Sequence, residues 1–371
     1  MHLILLLNMA IHSCYIGSKV VLALLALELG AGEIAIGLLI SCYAVAPMAL
    51  GIYAGRLADT IGMRIPMLAG SGLIGAAMLV GYLWQSLPAL FAVALMVGAG
   101  FVFFNISIQN LTGAISAPPQ RARNYSTLSV SYSFSNFLGP MIAGYSIEYA
   151  GHDTAFLIFG VFTLVPLVAL ALRGRLAQVP LAAPEGGQRS TLALLREAPL
   201  RRLVLMSGLI VASWELYVFY VPIFAHGIGL PPSTTGLILG AYAVATFAIR
   251  FALPLIMRRL RIDQVLALSS LVAAAAFVAF PFLRDPYLLM AASFVIGLGL
   301  GCGQPLSMTL SYDRAPPGRT GEVTGLRLIA NNTARVIVPV LSGALGTAFG
   351  TTPVFWLNAL NLVAVSYLAR R

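Results

Sequence analysis

The chain has 371 residues, of which 59% are hydrophobic and 9% charged, with a mean hydropathy of +0.92. A water-soluble domain carries about 25% charged residues, so this chain cannot cover itself with polar surface, and a soluble globular fold is excluded. Its net charge of +10 would suggest a nucleic-acid partner in a soluble protein, but the charges sit between apolar runs instead of forming one basic patch, which excludes that class as well.

Apolar stretches of about 20 residues recur from end to end, each long enough to cross a hydrocarbon core of ~30 Å as a helix. Helix 1 (3–27) follows Met1 and His2 with no basic leader and no cleavage site, so it reads as a retained span and not as a signal peptide. It carries His12, Tyr15 and Lys19, the only lysine in the chain, on one face. Helix 2 (34–56) runs into the loop "GRLADTIGMR", Gly55 to Arg64, and is followed by helix 3 (66–84). Helix 4 (87–110) holds Asn105 and Gln109. After "APPQR" (117–121) come helix 5 (124–147), with Tyr132, Asn136 and the run "SNFLGPMIAG", and helix 6 (153–172).

Residues 173–202 are rich in Pro, Gly and Arg and read as a linker between an N-terminal six-helix bundle (1–172) and a C-terminal one (203–371). Helix 7 (203–225) contains "ASWELYVFYVP" and with it Glu215. Helix 8 (234–257) contains Arg250, and helix 9 (263–283) has no charge in its core. Helix 10 (286–310) holds "GLGLGCG" and Gln304. Helix 11 (322–347) places Arg327, Asn331 and Arg335 on one face, with Asn332 beside them, and helix 12 (352–369) ends the chain. The predicted fold is an all-α polytopic membrane protein of twelve spans in two six-helix bundles.

Loop charges alternate in sign. One side holds Arg56, Arg64, Arg121, Arg123, the arginines of 173–202, Arg258, Arg259, Arg261, Arg314, Arg319, Arg370 and Arg371. The other holds only Arg284, against Glu28, Glu33, Glu148, Asp153 and Asp285. Basic residues accumulate on the cytoplasmic side, so both termini and the middle linker are expected there. The expected location is a bacterial inner membrane.

The two halves repeat. "GLLISCYAVA" (37–46) and "GLILGAYAVA" (236–245) match at six of ten positions at an offset of 199. At the same offset "VGAGF" (97–101) faces "IGLGL" (296–300) and Asn105 faces Gln304, while "APPQR" (117–121) faces "APPGR" (315–319) one residue off that register. Two halves of like topology are parallel repeats about a pseudo-two-fold axis along the membrane normal, an arrangement of alternating-access transporters.

The loop Gly55–Arg64 resembles the signature loop of the major facilitator superfamily, written G-x-L-A-D-R-x-G-R-K. Gly55, Leu57, Ala58, Asp59, Gly62 and Arg64 agree with it, whereas Thr60 and Met63 replace basic residues. The resemblance implies that fold, with helices 1, 4, 7 and 10 lining a central cavity and 2, 5, 8 and 11 completing its walls. It implies for Asp59 a part in closing the cytoplasmic side, and Gly62 permits a tight turn into helix 3. Gly139, Pro140 and Gly144 on helix 5 resemble the Gly-Pro motif of proton-coupled exporters, although Ser135 and Ala143 replace glycines of that motif. The helix 4 arginine of those exporters is absent; Ala94 stands four residues before Gly98.

Ionisable groups inside spans are functional candidates. Glu215 and Arg335 lie about 18–20 Å along their helices from the cytoplasmic start, at matching mid-membrane depth. Pairing of Glu215 with Arg335, or with Arg250, is expected. Lys19, Arg250, Arg327 and Arg335 against one carboxylate suit an anionic solute, since arginine holds carboxylate or phosphate well. The alternative use of Glu215 is proton coupling, with His12 as a second carrier. Asn105, Tyr132, Asn136, Gln304 and Asn331 complete the candidate site, as solute contacts or as hydrogen bonds between helices.

Cys14, Cys42 and Cys302 have no metal spacing and read as packing residues. The glycines of "GLGLGCG" lie inside a span with no lysine after them, so they read as helix packing and not as a phosphate loop. An embedded enzyme would need clustered ligands or a nucleophile with its base, and the spans offer neither. The expected protein is no enzyme: it is a monomeric, proton-coupled secondary transporter of a small organic anion, without a bound cofactor, with membrane lipid and solute as its partners. Efflux of lipophilic compounds is the second reading, suggested by the helix 5 motif and by Trp214, Tyr217, Phe219 and Tyr220.

Overall fold

The computed structural model describes residues 1–116, 121–172, 196–314 and 320–370. Most of the 173–202 linker and the "APPQR" and "APPGR" loops lie outside the described residues, as do the side chains of Arg56 and Asp59.

All regular structure among the described residues is helical, and eleven helices are long and apolar enough to cross a membrane. One of them, Arg121–Leu172, has 52 residues. At 1.5 Å per residue that is about 78 Å, more than twice the hydrocarbon thickness. It breaks at Gly151, whose φ of 82° and ψ of 170° belong to a region open to glycine. The chain turns there, so residues 121–150 form helix 5 and 152–172 helix 6, and the described residues hold twelve spans.

The remaining helices are His2–Glu28 (helix 1), Glu33–Ile61 (2), Arg64–Leu83 (3), Leu87–Ala114 (4), Ala198–Gly227 (7), Pro232–Ile256 (8) and Ile262–Ala279 (9). Helix 10 is Pro286–Gly301 continued by Gly303–Arg314, and Thr320–Phe349 and Thr351–Arg370 are helices 11 and 12. Several outrun their predicted ends. Helix 2 continues to Ile61, and helix 7 begins at Ala198, inside the stretch read as linker, with a proline in its first turn. Hydropathy marks where a span leaves lipid, whereas backbone hydrogen bonding carries the helix on through Arg201 and Arg202.

By packing, the chain divides into two units. The first comprises Met1–Ala31, Leu38–Glu185 and Gly229–Gly240, and the second Gly32–Gly37, Gly186–Ile228 and Ala241–Arg371. The first turns of helices 2 and 8 group with the other unit from the rest of their helices.

Within the first unit helix 1 packs on helices 4 and 5, and helix 3 on helix 4. Gly81 and Gly160 bring helix 3 against helix 6 at Phe156 and Met78. In the second unit helix 7 packs on 10 and 11, and helix 9 on 10 and 12, which is the same pattern moved by six helices. The likeness extends to single residues. Gly98 lies against the Tyr43 carbonyl and Gly297 against the Tyr242 carbonyl; Gly100 meets the Gly70 carbonyl and Gly299 that of Ser269. Each partner is displaced by the same 199 residues. The glycines of helix 10 therefore pack, because no side chain fits where two backbones touch.

Candidate functional site

In the first unit helices 1, 2, 4 and 5 gather the candidate residues around helix 1. His12 Nε2 lies 3.3 Å from Asn136 Oδ1, and its ring meets Tyr132 edge-on at 4.8 Å and Phe101 at 5.5 Å. Tyr132 donates to Asn105 Oδ1 at 2.7 Å. One turn on, Tyr15 stacks on Phe101 at 3.9 Å. Lys19 is buried, with its Nζ 5.1 Å from the Tyr15 ring centre and 5.6 Å from that of Tyr43. A ring face attracts a cation, so these tyrosines stabilise the ammonium in apolar surroundings. Tyr43 in turn donates to Ser18 Oγ at 3.0 Å. His12, Phe101, Asn105, Tyr132 and Asn136 are half-buried and make one aromatic and hydrogen-bonding face.

In the second unit the polar face of helix 11 meets helices 7 and 10. Arg335 Nε stands 3.2 Å from Glu215 Oε1, with Glu215 2% and Arg335 40% exposed. The mid-membrane pair read from depth alone is thus formed, and Arg335 is the arginine that makes this contact. Arg250 is half-buried beside Tyr242 and Cys302. Arg327 is buried and donates to Ser307 Oγ at 3.2 Å and Gln304 Oε1 at 3.4 Å. Asn331 is buried against Ser207, with Ser207 Oγ and the Asn331 amide 3.0 Å apart. Arg327, Gln304 and Asn331 therefore tie helices 7, 10 and 11 together.

Gly62 has a φ of 79°, which provides the tight turn expected of it. Arg64 opens helix 3 and donates to the Leu170 and Ala171 carbonyls at 3.1 and 3.3 Å. It thereby supplies donors to carbonyls that the end of helix 6 leaves unpaired. A methyl group added at Gly55 would meet no neighbouring element within 4 Å. Asp59 lies in the last turn of helix 2. On helix 5 Gly139 packs on the Ser13 carbonyl and Gly17 of helix 1, and Gly144 on the Pro232 carbonyl; the Pro140 carbonyl receives Gly236. The helix 5 motif is a close-packing device at each of its three positions.

In the aromatic run of helix 7 Trp214 is half-buried, while the other three residues are packed inside the unit. Tyr217, Phe219 and Tyr220 are at most 3% exposed. Tyr217 stacks on Tyr242 at 4.6 Å, and Tyr220 meets Phe355 edge-on at 5.6 Å. Sequence reasoning joined the run to the efflux reading by composition alone, because period does not say which face of an all-apolar helix is covered. It also missed Asn361, which donates to Ser213 Oγ at 2.8 Å, and Asn8, which donates to Ser131 Oγ at 2.8 Å. Asn358 and Asn361 on one side of an apolar span were the available signal. Among the described residues no group of three or more His, Cys, Asp or Glu is placed to hold a metal.

The Major Facilitator Superfamily model matches residues 203–370. The chain is 22% identical to the MFS-type transporter YfkF of Bacillus subtilis over 85% of this chain and 83% of that one. It is also 22% identical to the quinolone resistance protein NorA of Staphylococcus aureus over 91% and 87%. Its fold superposes on a crystal structure of the peptide transporter POT in complex with sulfate with a TM-score of 0.83, at 17% identity, covering 100% of this chain and 93% of the other. The nucleoside transporter NupG gives 0.81 at 13% identity, covering 99% and 98%. The family model covers the C-terminal half of the chain, and the likeness to the solved transporters extends over the whole fold, that of a multi-pass helical membrane protein.

Proposed function

We propose that the chain carries a small organic anion together with a proton across a bacterial cytoplasmic membrane, with both termini on the cytoplasmic side. The observation that carries the reading is the Glu215–Arg335 pair. The Glu215 side chain is sealed in at 2% exposure while the Arg335 side chain remains 40% exposed. An anion approaching Arg335 competes with Glu215 for the same positive charge. A proton on Glu215 removes that competition, so proton and anion favour one another's binding and move in the same direction. Within the first unit, Lys19 and the half-buried face around His12 are a cation and a set of ring surfaces of their own. The reading is transport and not catalysis, and the energy source is the proton gradient. The cytoplasmic assignment of the termini is supported by the arginine-rich loops.

A second reading, export of amphipathic compounds, is favoured by the likeness to NorA, a quinolone resistance protein. Proteoliposomes decide between the two. Acidifying one side should drive a radiolabelled monocarboxylate to the other in symport, and Glu215→Gln should abolish accumulation while leaving exchange of the anion. Anion movement indifferent to the pH gradient would sink the coupling. Gradient-driven movement of amphipathic cations against the proton flow, with no anion movement, would establish export.

A further inference from the structure

The first turns of helix 2 are held by helices 7 and 11. Tyr220 Oη donates to Glu33 Oε2 at 2.7 Å, and Gly346 lies so close that a methyl there would overlap both oxygens. Gly343 lies against the Glu33 carbonyl, and Gly37 against that of Pro339. We propose that Glu33, Tyr220 and Gly346 form a latch. The phenol–carboxylate hydrogen bond, seated on the bare face of Gly346, fastens the start of helix 2 to helices 7 and 11 and must break whenever helix 2 parts from helix 11 in the transport cycle. The proposal rests on the proposed function only for that movement of helix 2.

Two observations separate a latch from plain packing. First, helix 2 is divided: its residues to Gly37 group with the second unit and those from Leu38 with the first. Any motion of one unit against the other loads that boundary. Second, the repeat provides an internal control. Helix 8 starts against helix 5 through the same backbone contacts, with Gly236 on the Pro140 carbonyl and Gly144 on that of Pro232. The residues 199 positions from Tyr220, Glu33 and Gly346 are Val21, Pro232 and Ile147, so this packing forms there without the hydrogen-bonded pair. Helix 8 is fastened differently: Glu148 Oε2 accepts from the Ser233 amide at 3.0 Å, satisfying an unpaired donor at a helix start. The Glu33–Tyr220 pair is an addition to the shared packing, and Gly346 is the space kept for it.

The test is a distance between spin labels on Gly32→Cys and Ala348→Cys, two exposed positions, with Cys14, Cys42 and Cys302 replaced by alanine. It needs neither solute nor gradient, so its failure is distinct from failure of the transport reading. The parent should give one short distance. Tyr220→Phe removes the hydroxyl but keeps the ring on Phe355. The ratio of long to short distances should rise about tenfold, the usual scale for a hydrogen bond to a charged group. Gly346→Ala should shift it the same way, and the double variant no further than the larger single effect. A Tyr220→Phe distribution identical to the parent's, or additive single effects, would overturn the latch. Tyr220→Phe decides alone if Gly346→Ala does not fold.

Discussion

Glu215 and Arg335 differ in exposure, and that difference predicts unequal costs for removing each. Arg335→Gln leaves a carboxylate at 2% exposure facing no full countercharge at that contact. Orphaning one member of a buried pair costs about 3–5 kcal/mol, and the exposed side of this pair places the value near the lower end, about 3 kcal/mol. Glu215→Gln removes the buried charge itself and leaves an arginine that is 40% exposed and able to reach water, for about 1 kcal/mol. The double variant should resemble Glu215→Gln at about 1 kcal/mol, a coupling of about 3 kcal/mol. For a unit of 150–250 residues that is roughly 6–12 °C in melting temperature.

Thermal unfolding of the purified protein in detergent, followed by intrinsic fluorescence, measures all four forms. If Glu215→Gln costs as much as Arg335→Gln, or if the two add, the pair is not the stabilising unit described.

Gly98→Val places a side chain on the Tyr43 backbone carbonyl and should cost about 2–3 kcal/mol or more, whereas Gly72→Ala, with nothing within 4 Å, should stabilise helix 3 by about 0.5–1 kcal/mol; comparison of melting temperatures checks both. Arg64→Ala should cost about 1–2 kcal/mol through two lost carbonyl contacts, and hydrogen exchange should rise selectively in the last turn of helix 6. Lys19→Met keeps the apolar stem but loses the attraction to Tyr15 and Tyr43, about 0.5–2 kcal/mol. The stabilisation that a bound monocarboxylate gives in a thermal-shift assay should fall with it.

The spans, the duplication and the depth of Glu215 were legible because each is a local or periodic property. A bilayer demands about 20 apolar residues per crossing, and an expensive carboxylate inside one demands a partner. Arg335 was recoverable from depth because helices 7 and 11 begin on the same side. The partners of Lys19 were only half legible, since Tyr15 shares its face but Tyr43 comes from helix 2. Arg327 read as one of four cations suited to a solute, and its Nη1 donates to Gln304 and Ser307, a contact that depends on which face of helix 11 meets helix 10.

Sequence by itself determined that this chain lives in lipid, crosses it twelve times and is built twice from one plan, because those properties follow from hydropathy and an offset of 199. Only the tertiary structure decided which small residues are contacts and which are empty space. "GLGLGCG" and "SNFLGPMIAG" became backbone-to-backbone packing, and Gly346 became the room for a hydrogen bond between residues 187 apart. Glu33 looked like one of several loop acids because a carboxylate at a helix start needs no partner to be stable there. A buried tyrosine hydroxyl does need one, and the fold brings Tyr220 to it.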